Sequence, residues 1–214
     1  MKGRPQDLPW TALQLDEPVG LFTGRKLAGL TGNRATCVGL LRGAGLQFSE
    51  TPPRKGGQCT VDDAVRLKSG QAMLALAPNN VAPSCPVVAG LAMWQWQVVG
   101  PAAQRIFGTS VRQIDHYGSF SCRRLYGRET GGWSEHASAN AIDVSGFTLA
   151  DGQRIRVASD GAGQGKKAQF LRAVRDGACG LFSTVLSPDY NAEHHDHLHL
   201  DQAARGEMGW RACR

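Results

Sequence analysis

Glu193-His194-His195-Asp196-His197-Leu198-His199-Leu200-Asp201 gathers four of the chain's six histidines beside three acids. From His197 the stretch alternates. His197, His199 and Asp201 fall on one side of an extended segment, Leu198 and Leu200 on the other. Such a strand would carry a ligand-bearing polar face and a core-facing apolar one. Imidazole and carboxylate together suit a borderline divalent cation, zinc above all. A second pair lies upstream, His136 and, seven residues on, Asp143. The small residues Ala137, Ser138, Ala139 and Ala141 between them let the backbone turn tightly, so that loop-borne His136 and strand-borne Asp143 can converge on His197 and His199. A structural zinc site is closed by four protein ligands, whereas a catalytic one takes three and leaves a position for water. The competing reading is a solvated histidine-rich loop that binds metal loosely.

These residues need elements to hold them. Val111 to Tyr117 alternates like a strand and leads into a loop of small and cationic residues, Gly118 to Arg124. Thr130-Gly131-Gly132 is a turn, and Ser134 to Val144 ends in a strand that Gly146 closes. Leu149 to Ile155 reads as a hairpin around Asp151-Gly152. Helices are expected over Pro86 to Phe107, with Ser84 as N-cap, Gly100-Pro101 as a kink and Gly108 as the stop, and over Lys166 to Cys179. Trp94 and Trp96 read as core at that helical spacing, with ligand stacking as the alternative. Phe182 to Leu186 is a strand, and Ser187 to Asn191 a loop running into the histidines.

The first third is less regular. Residues 1 to about 35 read as an extended, irregularly packed arm. A short helix follows over Ala35 to Leu41, then strands near Leu46 to Phe48, Cys59 to Val61 and Ala72 to Leu76, the last two around a turn at Lys68-Ser69-Gly70. The pattern gives an α+β fold, a mostly antiparallel sheet with helices on one face. It divides into a cysteine-stapled covering region, 1–85, and a metal-binding core, 86–214, in one compact domain overall.

Composition narrows the function. Apolar residues make 42% and charged residues 20% of the 214, a globular balance rather than a disordered one. No run approaches the roughly 18 apolar residues of a transmembrane segment. Met1-Lys2-Gly3-Arg4-Pro5 carries charge without the apolar stretch of a signal peptide. Six dispersed cysteines, none in a C-x-x-C pair, fit three disulfides and hence an oxidising compartment, periplasmic or secreted. The net charge of +6 favours acidic partners, but the basic residues are scattered and not interleaved with aromatics. An anionic envelope polymer therefore fits better than nucleic acid.

Ser134-x-His136-x6-Asp143 followed by His197-x-His199 resembles the zinc peptidases of the D-alanyl-D-alanine carboxypeptidase and dipeptidase type and the related murein endopeptidases. Ser134-Glu-His-Ala, Ala141-Ile-Asp-Val, Phe182-x-Thr-Val-Leu and His195-Asp-His-Leu-His-Leu-Asp look more closely like the extensin-like C-terminal domain. The resemblance implies a peptidase-like zinc core with His136, Asp143 and His199 as ligands and Asp196 as the acidic general base. It implies His197 as a supporting or transition-state-stabilising imidazole, and Arg123 as the substrate arginine with Arg124 as its rival. Ala139 departs from the glycine common in the peptidases. On a regular strand Asp196 would face away from His199, so its role needs a loop or bulge before His197; otherwise His197 is a fourth ligand or the base. The implied activity is a zinc-dependent peptide hydrolase acting on peptidoglycan peptides. The alternative is a non-catalytic envelope-binding or structural domain that retains the metal.

Overall fold

The computed structural model describes residues 4–68, 70, 73–206 and 210–214; Ser69 and Ala72 of the expected turn and strand lie outside the described residues, as do Met1 to Gly3. In chain order the elements are α1 (Thr23–Ala28), α2 (Arg34–Gly43), β1 (Phe48–Glu50), β2 (Val65–Leu67), β3 (Ala75–Ala77), α3 (Cys85–Trp94), α4 (Gly100–Phe107), β4 (Val111–Gly118), β5 (Ala141–Leu149), β6 (Arg154–Arg156), α5 (Val157–Asp160), α6 (Lys166–Ala178), β7 (Thr184–Leu186), β8 (Leu198–Asp201) and β9 (Ala212–Cys213).

The arm is not simply extended. It contains α1, whose glycine and threonine give little helical signal, and which forms because Thr23 and Leu27 are fully buried as it packs on α3. Asn33 starts α2 by accepting a hydrogen bond from the Thr36 amide. The strand expected over Cys59 to Val61 is a 3-10 turn, Gly57–Cys59, followed by a single bridge from Val61 to Arg54. β1 pairs with β2, which the sequence did not suggest, with Phe48 opposite Leu67.

The long helix does not break at Pro101. Proline supplies no amide to the ladder and its ring crowds the carbonyl four residues back. The chain absorbs this as one π-helical turn, Gln95–Val99, in which the Gly100 amide donates to the Gln95 carbonyl. Gly108 then ends α4 in the left-handed conformation, φ 73°. Ser84 does not cap α3 with its side chain; its hydroxyl hydrogen-bonds Asn140 instead.

Seven strands form the main sheet in the order β3-β4-β5-β8-β7-β9, with β6 also on β5. The sheet is mixed. β3 on β4 and β9 on β7 are parallel, and the inner pairings are antiparallel. β5 runs past Gly146 rather than stopping there, and one of its edges is shared: Ala141 to Val144 pair with β8, Gly146 to Thr148 with β6. Between those halves Ser145 is an extra residue, since His116 opposes Val144 while Asp115 opposes Gly146. Beyond this bulge the alternation changes sides, so Ile142 and Val144 before it, and Phe147 and Leu149 after it, are all fully buried. Gly146 has no room for a side chain, because a Cβ there would lie 2.4 Å from the Ile155 carbonyl oxygen on β6.

Phe147 shows which side the helices cover. Its ring packs on Trp94 of α3 and on Phe170 of α6, and Phe170 in turn on Phe107 of α4. Trp94 is core, completely buried, with its indole N–H donating to the Val174 carbonyl. Disulfides join Cys37 to Cys85, Cys59 to Cys122 and Cys179 to Cys213. Three disulfides fit a protein that folds outside the reducing cytoplasm. Among the described residues no helix is long and apolar enough to cross a membrane.

Candidate metal centre

β5 and β8 lie antiparallel with Asp143 opposite His199. The alternation that buries Ile142, Val144, Leu198 and Leu200 on one face turns Asp143 and His199 to the other. His136 arrives from a 3-10 turn, Glu135–Ser138, opened by Ser134, whose hydroxyl accepts from the His136 amide. The turn closes at Ala139 in the left-handed conformation, φ 56°. Glycine is the residue for which this conformation carries no steric cost, and Ala139 adopts it with a Cβ.

Three donor atoms meet where these elements converge. His136 Nε2 lies 3.1 Å from Asp143 Oδ1 and 3.2 Å from His199 Nδ1, and His199 Nδ1 lies 2.9 Å from Asp143 Oδ1. A tetrahedral ion with bonds of 2.0–2.1 Å spaces its ligands about 3.3 Å apart, close to this triangle. The outer ring nitrogens are already committed. His136 Nδ1 faces the Ser119 carbonyl at 3.0 Å, and His199 Nε2 faces Asp201 Oδ2 at 3.1 Å. Those partners take the ring protons, which leaves two imidazole lone pairs and a carboxylate pointing at one another. With both imidazoles neutral these are three acceptors, a set that a proton or a metal ion satisfies. His136, Asp143 and His199 therefore form a cluster that could hold a metal ion.

The protonation pattern has the same cause. Burial pushes the Asp143 carboxyl up, but hydrogen bonds from His136 and His199 outweigh it and hold the group well below the usual carboxylate range. Burial pushes His199 down, yet the carboxylates of Asp143 and Asp201 raise it to about 9, so without a metal a proton takes the metal's place.

The cluster opens into a cleft of about 1030 Å³ whose walls include Arg123, Trp133, Glu135, Tyr190, His194 and His197. His197 lies just before β8, with Nε2 3.5 Å from Asp143 Oδ1, outside the three-donor group. Its Nδ1 is 2.9 Å from Asp196 Oδ1. A loop does precede His197, and it sets Asp196 behind that imidazole; Asp196 is not among the described residues that line the walls. Its carboxyl is pushed up by burial but held below its ordinary value by hydrogen bonds from His197 and Tyr117. Arg123 lines the cleft and has no ion pair among the described residues. Arg124 does not line it: its guanidinium stacks on Trp133 and donates to the Gly131 carbonyl.

The family model described as extensin-like protein C-terminus matches residues 35–214. The chain belongs to the extensin-like C-terminal family. No curated protein and no solved structure matches it. In this extensin-like domain, sequence reasoning did not reach several site residues. Ser119 orients His136 through its backbone carbonyl, which leaves no side-chain signal. Glu135 lines the cleft with its carboxyl raised by burial, against a hydrogen bond from Asn140 at 2.7 Å. His194 lines the cleft, its ring 5.1 Å from that of His197; burial and the neighbouring histidines push it down to about 4. α1 lies upstream of the matched residues.

Proposed function

We propose that this extensin-like domain is a zinc-dependent hydrolase of cell-wall peptides, working in the periplasm or outside the cell. The observation that carries this is the triangle of His136 Nε2, Asp143 Oδ1 and His199 Nδ1, its tautomers set from behind, opening on one side into a large cleft. Two imidazoles and one carboxylate are a zinc donor set with a position to spare. Bound there, zinc supplies an acidified water and polarises a substrate carbonyl.

The chain's own groups do the rest. His197 lines the cleft with Nε2 3.5 Å from Asp143 Oδ1 while Asp196 holds its Nδ1, so His197 would be the group that accepts a proton at Nε2 and returns it to the departing amine. Asp196, itself hydrogen-bonded by Tyr117, orients that imidazole and stabilises its charged form. This gives His197 the base role that the family resemblance assigns to Asp196. Arg123, at the wall and with no ion pair among the described residues, binds the substrate's carboxylate or carbonyl. Purified muropeptides incubated with metal-replete protein test the reading. Product release that His197→Gln abolishes without loss of metal is expected; no product from any muropeptide overturns it.

One observation favours a second reading, a binding domain that keeps its metal as an anchor. Asp196, the acid to which the family resemblance gives the base role, does not line the cleft. A binder retains muropeptides unchanged, and its affinity is indifferent to Asp196→Asn.

A further inference from the structure

Beside the metal cleft lies a second pocket of about 370 Å³, and Ala203, Ala204 and Arg205 line both. Its floor is small-residue backbone, including Gly24, Gly29 and Gly206, and its polar groups are Ser183 and three arginines, Arg25, Arg205 and Arg211. Among the described lining residues there is no carboxylate. Three arginines line one pocket with no ion pair among the described residues, Arg205 also facing the field of Glu135 in the metal cleft, and such a gathering of positive charge is one that an anion relieves.

Arg211 shows that the pocket is built. Its Nη1 donates to the Cys179 carbonyl at 3.1 Å and its Nη2 to the Leu21 carbonyl at 3.4 Å, so carbonyl dipoles solvate the charge without neutralising it. Burial lowers its pKa, as expected for a desolvated cation lacking an acid partner. Gly24 of α1 lets the guanidinium lie against the helix, since a Cβ there would stand 2.7 Å from Arg211 Cζ. Arg205 spends one N–H on the Thr184 hydroxyl, and Arg25 has no ion pair among the described residues. Trp210 stands at the rim, 72% exposed.

We infer that this pocket is an oxyanion site, taking the carboxylate or phosphate group of an acidic ligand whose neighbouring portion lies in the metal cleft. The shared wall makes the two cavities one two-lobed groove. Arg25 and Gly24 come from α1, upstream of the residues that match the family, so this chain completes the site with its own N-terminal segment. The anion site stands on the arginines and is independent of hydrolysis; only the spanning of both lobes rests on the proposed function.

The test is a titration of ¹⁵N-tryptophan-labelled full chain at constant ionic strength, with inorganic phosphate in one arm and triglutamate in the other. The Trp210 indole signal, assigned by its loss in Trp210→Phe, is expected to move saturably. Arg25 is exposed, so Arg25→Gln leaves the fold intact, and it should weaken binding about tenfold. Arg154→Gln, on exposed β6 outside the pocket, should leave binding unchanged. Tighter binding of one probe assigns the group, and equal binding assigns a site that reads charge alone. The same phosphate affinity in chelator-treated protein supports the anion site whatever the fate of the hydrolase reading. Absence of saturation with both probes overturns the inference, and so does a response that Arg25→Gln leaves unaltered.

Discussion

Stripping the metal should cost the fold a measurable amount, and Asp143→Asn should abolish that cost. The substitution keeps the side chain's shape but removes the one negative charge from the donor triangle and turns an acceptor towards donation. A ligand that binds only the folded state at a hundred times its dissociation constant stabilises it by about 2.7 kcal/mol. For 214 residues the unfolding entropy is roughly 0.45 kcal/mol per kelvin, so saturation should raise Tm by about 6 °C. The reference is not an empty charge, because His199 carries a proton up to about pH 9 when no metal is bound. Scanning calorimetry at pH 7.5, with the disulfides intact, compares chelated and zinc-saturated protein. Wild type should shift by several degrees, Asp143→Asn by less than one, and His197→Ala, outside the triangle, as wild type does. A wild-type shift below 1 °C with zinc, manganese and iron alike would refute the cation argument. A full shift retained by Asp143→Asn would refute the assignment of the ligand.

Three further outcomes follow from the same geometry. Burial, aided by the charge of Asp62, pushes the Asp63 carboxyl up to about 6 from its ordinary 3.8. The folded state therefore binds more protons than the unfolded one between those values, and stability should fall by roughly 3 kcal/mol as pH rises from about 4 to above 6. In urea titrations across that range Asp63→Asn should remove this component, leaving the variant more stable than wild type at pH 7. Removing the Cys59–Cys122 bond by a double serine substitution reopens a span of 63 residues, worth about 4 kcal/mol in the chain-entropy model. Because Ser119 lies three residues before Cys122 and orients His136, metal retained after dialysis should fall together with Tm. Gly146→Ala forces a methyl against the Ile155 carbonyl; thermal melts should show a loss of roughly 1–3 kcal/mol, the usual cost of overpacking.

The ligand triangle was legible because strand alternation is a local property. Once His199 and Asp143 sit on strands with Leu198, Leu200, Ile142 and Val144 between them, the polar side chains must share the outer face. The pairing of Asp196 with His197 and Tyr117 was not legible, since it depends on the loop after Ala192–His194, and a loop has no period to read. β2 and α1 were missed for a related reason. Val65-Arg66-Leu67 is too short to show an alternation, and the Thr23-Gly24 start of α1 hides a helix held by tertiary burial of Thr23 and Leu27. Both parallel pairings join strands far apart in the chain, and no residue pattern announces such partners. The large helix was read correctly in extent because its apolar stripe is long. Its π turn was not, because a proline marks where the ladder must yield but not how.

Ser145 links the two halves of the molecule like a phase shifter. The first half of β5 must send Asp143 outward to the cleft, while the second must send Phe147 inward to Trp94 and Phe170. A strict two-residue period cannot satisfy both, since positions 143 and 147 would then face the same way. The extra residue resolves the conflict, and it makes the segment between Val144 and Phe147 intolerant of changes in length. Deleting one residue there would keep either the metal site or the aromatic core in register, never both, whereas the hairpin tip at Asp151-Gly152 imposes no such parity. In this fold the core and the chemistry are tuned by the same single residue.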